Sequence, residues 1–595
     1  MNSDGNRNFM IALALCALVL FGWQYFIATP QMKADQARQA QLAKQVKNVA
    51  PEAGPNVPGM ATTSVHLSRE AALKAGGTRI AIDTPMVDGS LRLIGAKLDD
   101  LRLKSYRETL DPKSPEIVLL APKSTDYPYY ADFGWVGQGI KTPDDNTAWK
   151  QASGGVLSPG KPVTLTWDNG QGLFFTRVIS VDSQYMFTII DSVASSNVSA
   201  ALYPFAFVAR EGVPPAPSTW VLHQGFVGVA DGSEVDANYD DFKNAGTPPK
   251  SFSSTGGWIG ITDKYWMAAV VPPQNEAYDG AYAGSVLANG TKAYQANYRL
   301  AARKLAPGAS ISVTHRLFAG AKVVDILKQY QNQQHIVHFD NAVDWGYLWF
   351  LTRPFFWMLD QLYKLLGNFG LAILGLTVVV KIIFFPLQTA SFRSMSKMKK
   401  LQPEMERLKK HHEGDAQKFQ LAVMELYKRE KANPVAGCVP ILLTIPVFFS
   451  LYKVLYVTIE MRHAPFYGWI HDLSAQDPTS FINLFGLLPF NPHAILPSAL
   501  SFLAIGIWPV IYGITMWVQQ KLNPAITDPV QAKMFTFMPL IFTFMFATFP
   551  AGLVIYYTWS NLLNMLQQVV IMRREGVEIH LFKNLKAKKP AANDP

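Results

Sequence analysis

Cysteine is nearly absent: the chain of 595 residues has two, Cys16 and Cys438, each inside an apolar stretch. That excludes a disulfide framework and a CxxC metal site, so packing has to hold the fold. Charge is scarce as well, at 16% of residues against 49% hydrophobic, with a mean hydropathy of +0.08. Such a mixture excludes disorder along the whole chain and is too apolar for an ordinary soluble enzyme. No GxGxxG, Walker, HExxH or GxSxG pattern occurs in the region that reads as soluble, and no acid/base or metal constellation stands out. The His411-His412-Glu413 cluster lies in a charged turn and reads as solvated. The length implies more than one domain.

What the chain does have is long apolar runs. Phe9 to Ala28 carries no formal charge and is long enough to cross about 30 Å of hydrocarbon as a helix. Thr29-Pro30-Gln31 is not a small-x-small cleavage site, which favours an uncleaved anchor at 1–28 over a signal peptide. Five further spans are expected at 367–387, 434–459, 498–521, 530–549 and 551–572. Phe549-Pro550-Ala551-Gly552 joins the last two as a membrane hairpin, and prolines 440, 446, 509 and 539 are expected to kink their helices. The balance of 54 Lys and Arg against 44 Asp and Glu, a net +10, concentrates at 388–433 and in the tail 573–595. Those segments should be cytoplasmic, whereas the loop 460–497, with Arg462 as its one full positive charge, should face the other side. Six crossings then leave both termini in the cytoplasm and the region after the first span outside.

Residues 29–64, rich in Gln, Ala, Lys and Pro, read as a tether. From 65 to 340 the pattern has period two, as in Leu91-Arg92-Leu93-Ile94, Val163-Thr164-Leu165-Thr166-Trp167 and Ile311-Ser312-Val313-Thr314, with Asp168-Asn169-Gly170 as a hairpin turn. A large antiparallel β-sandwich is predicted. Asp263-Lys264-Tyr265-Trp266 and the prolines at 213–217 read as turns and buried aromatics rather than a binding edge, and His223 as a core histidine rather than a ligand.

Between sandwich and second span, at 341–366, aromatics and leucines recur at helical spacing, but Arg353, Asp360 and Lys364 are too frequent for a crossing helix. An amphipathic interfacial helix is expected, a helix packed on the sandwich being the other reading. In 388–433, Met395, Met398, Leu401, Met405 and Leu408 repeat at threes and fours, Gly414 interrupts, and Phe419, Leu421, Met424 and Tyr427 resume. A helical hairpin is predicted. Flexible thioethers suit a surface that accepts varied apolar partners, while packing between the two helices explains the same stripe; both readings stand.

Lys381 lies in otherwise unrelieved hydrocarbon, Leu376 to Phe385. A lysine at the centre of a lipid-facing helix costs about 2.5–3.5 kcal/mol, so it should face protein or water, or snorkel toward Gln388. Thr377 shares its face, and the last span offers Tyr557, Asn561, Asn564 and Gln568 at spacings of four, three and four, beside Tyr556 and Gln567. A polar stripe with a lone cation points to a hydrated cavity inside the leaflet, interhelical hydrogen bonding being the plainer account. Such a cavity has a use. A segment of about twenty apolar residues gains roughly 6–12 kcal/mol on entering lipid, so the obstacle to inserting it is its polar flank, and a wet groove shortens the dry path. A fixed positive charge would also attract acidic residues in that flank.

Four strings carry a family resemblance: Asn433-Pro434-Val435-Ala436-Gly437-Cys438-Val439-Pro440, Trp469-Ile470-His471-Asp472-Leu473-Ser474-Ala475-Gln476-Asp477-Pro478, Thr527-Asp528-Pro529 with Phe537-Met538-Pro539, and Phe549 to Tyr557. In these the chain resembles the Oxa/Alb/YidC family of membrane protein insertases, in the Gram-negative form with a large periplasmic domain. The resemblance implies a polytopic α-helical protein of the bacterial inner membrane, with a five-helix core around a hydrophilic groove closed on the outside. It sets the groove cation on Lys381, where many relatives carry Arg, the groove threonine on Thr377, and the substrate-contacting aromatic on Tyr556 or Tyr557. It likens the hairpin, with Met395, Met398, Met405 and Met424, to a substrate-receiving element near the ribosome. The partners implied are nascent membrane proteins, the Sec translocon, the ribosome and anionic lipids, with no specific nucleic-acid sequence recognition and no cofactor. The chain departs from the family pattern by extra residues near 481–497. A small-solute transporter would also bury a lysine, but no internal repeat is apparent, and a membrane-bound enzyme lacks its constellation.

Overall fold

The computed structural model describes residues 66–577 and Pro58, apart from 214–222, 243, 245, 288, 431, 433–438, 489, 491, 497–502 and 525–528. The anchor at 1–28, the rest of the tether, both cysteines, the prolines at 214–217, the Asn433–Cys438 string, the Thr527-Asp528 turn, the start of the span expected at 498 and the tail after Val577 lie outside the described residues. The chain divides into two compact units, one within Gln31–Asp344 with Val457–Ile459, the other within Trp345–Tyr456 and Glu460–Pro595.

The first unit is a β-sandwich of two ten-stranded antiparallel sheets. Ala200–Glu211 and Lys292–Leu300 pair at the centre of one, and Met186–Ser195 lies between Leu173–Val181 and Ser310–Ala321 in the other. Helices α1 (Arg69–Ala75) and α2 (Val324–Gln333) precede and follow the strands. The hairpin joining Val163–Asp168 to Leu173–Val181 turns on Asp168-Asn169-Gly170. Gly170 has φ +71°, and the Asp168 and Asn169 side chains accept the amides of Gly170, Gln171 and Leu173 at 2.8, 2.7 and 3.1 Å. Alternation sends Leu173, Phe175, Ile179 and Val181 inward, and Arg177 with them. Its guanidinium donates to Asp191 on the neighbouring strand at 2.6 and 2.9 Å and to the carbonyls of Ala96 and Phe133, tying the sheets together. Across the same interior Tyr129 donates to Ile261 O at 2.6 Å, and Tyr298 meets His315 Nδ1 at 2.6 Å. Burial pushes His315 down to about 4. Asp263-Lys264-Tyr265-Trp266 forms the turn into Trp266–Val271, with Asp263 held by Arg210 at 2.7 Å, and half-buried His223 bonds Phe226 O at 2.7 Å.

The second unit is helical. Helix α3 (Trp349–Leu366) buries Thr352, Phe355, Phe356 and Leu359 and exposes Trp349, Phe350, Trp357 and Leu365. It ends on Gly367 at φ +68°, after which Asn368 caps α4 (Phe369–Lys400) by accepting Leu371 N at 3.1 Å. The Tyr363 and Phe369 rings stack at 3.8 Å across this corner. Among the described residues α4 is the one helix both long and apolar enough to cross a membrane; Thr444–Val457 and Lys533–Phe546 are shorter apolar stretches. Rather than ending near 387, α4 continues without a break through Pro386 and carries Met395 and Met398 in its last turns.

The hairpin itself is α5 (Gln402–His411) and α6 (Ala416–Arg429), turned at Gly414 with φ +93°. Met405 packs with Val423 and Leu426 between them, and Met395 and Met398 pack with Phe392, Ala432 and Ile571. Helices α7 (Val439–Val457), α8 (Ile507–Leu522), α9 (Pro529–Phe546) and α10 (Ala551–Arg574) follow. Pro446 and Pro539 lie inside helices as expected. Pro509 instead occupies the first turn of α8, where a missing N–H frees no carbonyl, so it breaks no helical ladder, while the chain ahead of Pro440 lies outside the described residues.

Candidate functional site

Helix α10 is the hub of the helical unit, packing on both α4 and α8. At about 100° per residue its stripe Tyr557, Asn561, Asn564 and Gln568 spans an arc about 60° wide, which faces the seam between those two neighbours. Asn564 lies at the α4 edge and accepts from Lys381 Nζ at 2.7 Å. Gln567, further round, donates to Thr389 Oγ1 at 3.1 Å. At the other edge Asn561 donates to Thr515 Oγ1 at 3.3 Å, and Gln568 receives Gln519 Nε2 at 2.6 Å while donating to Asn523 Oδ1 at 3.2 Å. The plainer reading of the stripe therefore accounts for Asn561 and Gln568, which tie helices together.

Lys381 is different. It is half-buried, its one hydrogen bond goes to a neutral amide, and among the described residues no carboxylate pairs with it. Thr377 is buried on the same helix, but its hydroxyl donates to Ile373 O at 2.7 Å and belongs to the backbone of α4. Both tyrosines are buried. Tyr557 sits among Phe448 of α7, Tyr512 of α8 and Phe546 of α9, with centroids 5.1, 6.2 and 5.2 Å away. Among the described residues its hydroxyl has no hydrogen-bond partner. A buried hydroxyl left unmatched among apolar rings costs about 1–3 kcal/mol, so a polar group brought to it gains that much. That separates Tyr557 from Tyr556, whose ring meets only that of Tyr557 among the described aromatic contacts.

Of the four hairpin methionines, Met395, Met398 and Met405 are buried in the packing just described, whereas Met424 is 55% exposed beside exposed Leu421. The three buried thioethers have apolar partners already. Lys399 donates to the carbonyls of Lys521 and Leu522 at 3.3 and 3.0 Å, placing a cation at the C-terminus of α8.

Sequence reading missed the residues that close the far end of this bundle. The loop after Glu460 lays its carbonyls on the start of α10: Ala551 N donates to Ala475 O at 2.7 Å, Gly552 N to Leu473 O at 3.0 Å, and Gln476 Nε2 to Thr548 O at 3.0 Å. Gly552 permits the approach, since a Cβ there would stand 3.1 Å from Leu473 O. Asp477, 2% exposed, caps α8 from a distance, accepting Trp508 N at 2.9 Å, Trp469 Nε1 at 3.1 Å and Thr479 Oγ1 at 2.7 Å. Asp477-Pro478 is a turn-initiating pair, the one signal that could have singled out this carboxylate.

A family model described as 60Kd inner membrane protein matches residues 361–577, and one described as YidC periplasmic domain matches 79–358. The membrane protein insertase YidC of Methylorubrum extorquens (strain PA1) is 49% identical over 611 residues, covering 98% of each chain. That of Rhizobium meliloti (strain 1021) is 48% identical over 600 residues, covering 99% of each. A solved structure described as an active YidC insertase with the first transmembrane domain resolved covers 83% of this chain and 92% of its own, at 17% identity and a TM-score of 0.34. The β-sandwich is thus the periplasmic domain and the helical unit the inner-membrane core. With relatives this similar along nearly its whole length, the chain belongs to the YidC family of membrane protein insertases.

Proposed function

We propose that this insertase works through the seam between α4, α8 and α10, used as a polar groove that receives the hydrophilic flank of a nascent membrane segment. Lys381 attracts acidic residues of that flank, Asn564 beside it supplies an amide partner, Asn561 holds the α8 wall of the groove in place, and the Tyr557 hydroxyl meets the passing chain deeper in the aromatic cluster. Thr377 keeps the α4 wall narrow beside them. The observation that carries this reading is Lys381 Nζ, held by one neutral amide with no carboxylate among the described residues, a charge left over for a visitor. The loop carbonyls on the start of α10 support a groove closed at its outer end.

The same reading gives six spans with both termini cytoplasmic and the sandwich periplasmic, following the positive charge at 388–433 and 573–595. The basic hairpin at 388–433 then faces the ribosome and anionic headgroups, Met424 and Leu421 being its available apolar contacts, and the groove serves substrates arriving alone or from the Sec translocon. Depleting the protein and mapping a short single-span substrate with protease tests the whole: the substrate's flank becomes protected from outside when insertion fails, and unimpaired insertion of several such substrates overturns the reading. Photo-crosslinking from Tyr557 to a stalled nascent chain tests the route, with Leu566, an exposed α10 residue, as the lipid-facing control.

A further inference from the structure

The loop after α7 has two unlike halves. From Glu460 to Asp477 it carries Arg462, His463, His471 and Asp472; from Pro478 to Gln520 there is no Asp, Glu, Lys or Arg, and His493 is the one titratable side chain apart from Tyr512. Helix α8 occupies the end of that second half, and its 16 residues reach about 24 Å, short of the roughly 30 Å of hydrocarbon it has to cross. The chain ahead of it supplies a compact apolar knuckle. Asn483, 3% exposed, organises it from within: its Oδ1 accepts Ser480 N at 2.8 Å and Gly486 N at 3.0 Å, and its Nδ2 donates to Pro478 O at 3.0 Å and Phe490 O at 3.1 Å. The cage forces Leu484 and Phe485 into the left-handed region at φ +51° and +56°, where glycine or asparagine is the usual occupant. This costly backbone turns apolar side chains outward. Phe481, Leu484, Phe485, Leu487, Leu488 and Ile495 are exposed, Leu487 by 82%.

An aqueous loop would be expected to put polar groups on that surface. We infer that the knuckle at 481–488 is seated in the acyl region of the outer leaflet, so that the water boundary of this loop falls near Asp477. Lipid is the occupant favoured because the knuckle runs on from α8 without a charge, and because its exposed side chains have the character of Ile514 and Val510 on α8 and Ile382 and Ile383 on α4. Seated so, it anchors the cap that Asp477 forms on the first turn of α8. The inference rests on α8 crossing the bilayer.

The test uses the full chain in proteoliposomes, with Cys16 and Cys438 replaced by serine and one cysteine introduced at Leu487→Cys, Ile514→Cys or Asp168→Cys, each carrying an NBD fluorophore. Lipids brominated on the acyl chain serve as quencher. The expected result is quenching at Leu487 within about twofold of that at Ile514, with Asp168, on an exposed turn of the sandwich, unquenched. Quenching at Ile514 but not at Leu487 overturns the seat of the knuckle while leaving α8 a span. A blue-shifted but unquenched label at Leu487 overturns it in favour of a protein cover. Failure at both sites overturns the spanning reading of α8 and the knuckle with it.

Discussion

Arg177 in the sandwich and Lys381 in the helical unit are both cations drawn out of bulk water, and they are treated in opposite ways. Arg177 is 2% exposed and fully matched: a carboxylate takes two of its N–H groups and two carbonyls from across the sheets take others. Lys381 has one amide. A buried ion pair whose members are both present is a structural element, and removing one partner strands the other. A half-buried cation with no counter-ion among the described residues adds nothing to the fold that an apolar residue would not, so its presence calls for a reason outside the fold. The same contrast separates Asn561 and Gln568, which join α10 to α8, from the Tyr557 hydroxyl, which bonds none of the described residues.

The contrast can be broken first at Arg177. Arg177→Met leaves Asp191 buried and uncompensated and should destabilise the sandwich by about 3–5 kcal/mol, seen as a lowered midpoint in urea-unfolding curves. The second largest effect concerns His315. Its folded pKa of about 4 is below the ordinary 6.5, so between those values the unfolded chain binds the extra proton. Stability is then full above pH 6.5 and falls as the pH drops toward 4, by about 3 kcal/mol in all. Unfolding of His315→Gln should lose most of that slope between pH 6.5 and 4, whatever its overall stability.

In the helical unit, Asp477→Ala removes the acceptor for Trp508 N and Trp469 Nε1 and should cost about 1–3 kcal/mol, read as faster hydrogen exchange at the first turn of α8. Lys399→Met removes a cation from the C-terminus of α8 and should cost about 0.3–1 kcal/mol, visible as increased exchange near Leu522. If Lys399→Met proved as damaging as Arg177→Met, the division between charges that hold the fold and charges that do not would fail.

The large outlines were legible from the chain because they follow from period and length. Alternation announces Val163–Asp168, Asp168-Asn169-Gly170 fixes its turn, and an apolar run with a lone charge singles out Lys381. Pairings across elements were not legible. Nothing local distinguishes Asn564, which meets α4, from Asn561, which meets α8, because both fall within one narrow arc and the packing of neighbours decides. The methionines show the same limit: equal spacing covers Met405, packed between two helices, and Met424, which is exposed. Helix α4 ran past its expected end because Pro386 is tolerated inside it, and the remote cap by Asp477 depends on a contact that sequence separation conceals.

The central claim is that Lys381 serves the substrate and not the fold. The most direct measurement compares wild type with Lys381→Met in proteoliposomes, scoring insertion of two single-span substrates that differ only in having acidic or neutral translocated flanks, alongside urea unfolding of both proteins. The account predicts unfolding midpoints that coincide or favour the variant, with insertion of the acidic-flank substrate reduced several-fold more than that of the neutral one. Equal loss on both substrates, accompanied by a destabilised helical unit, would contradict it.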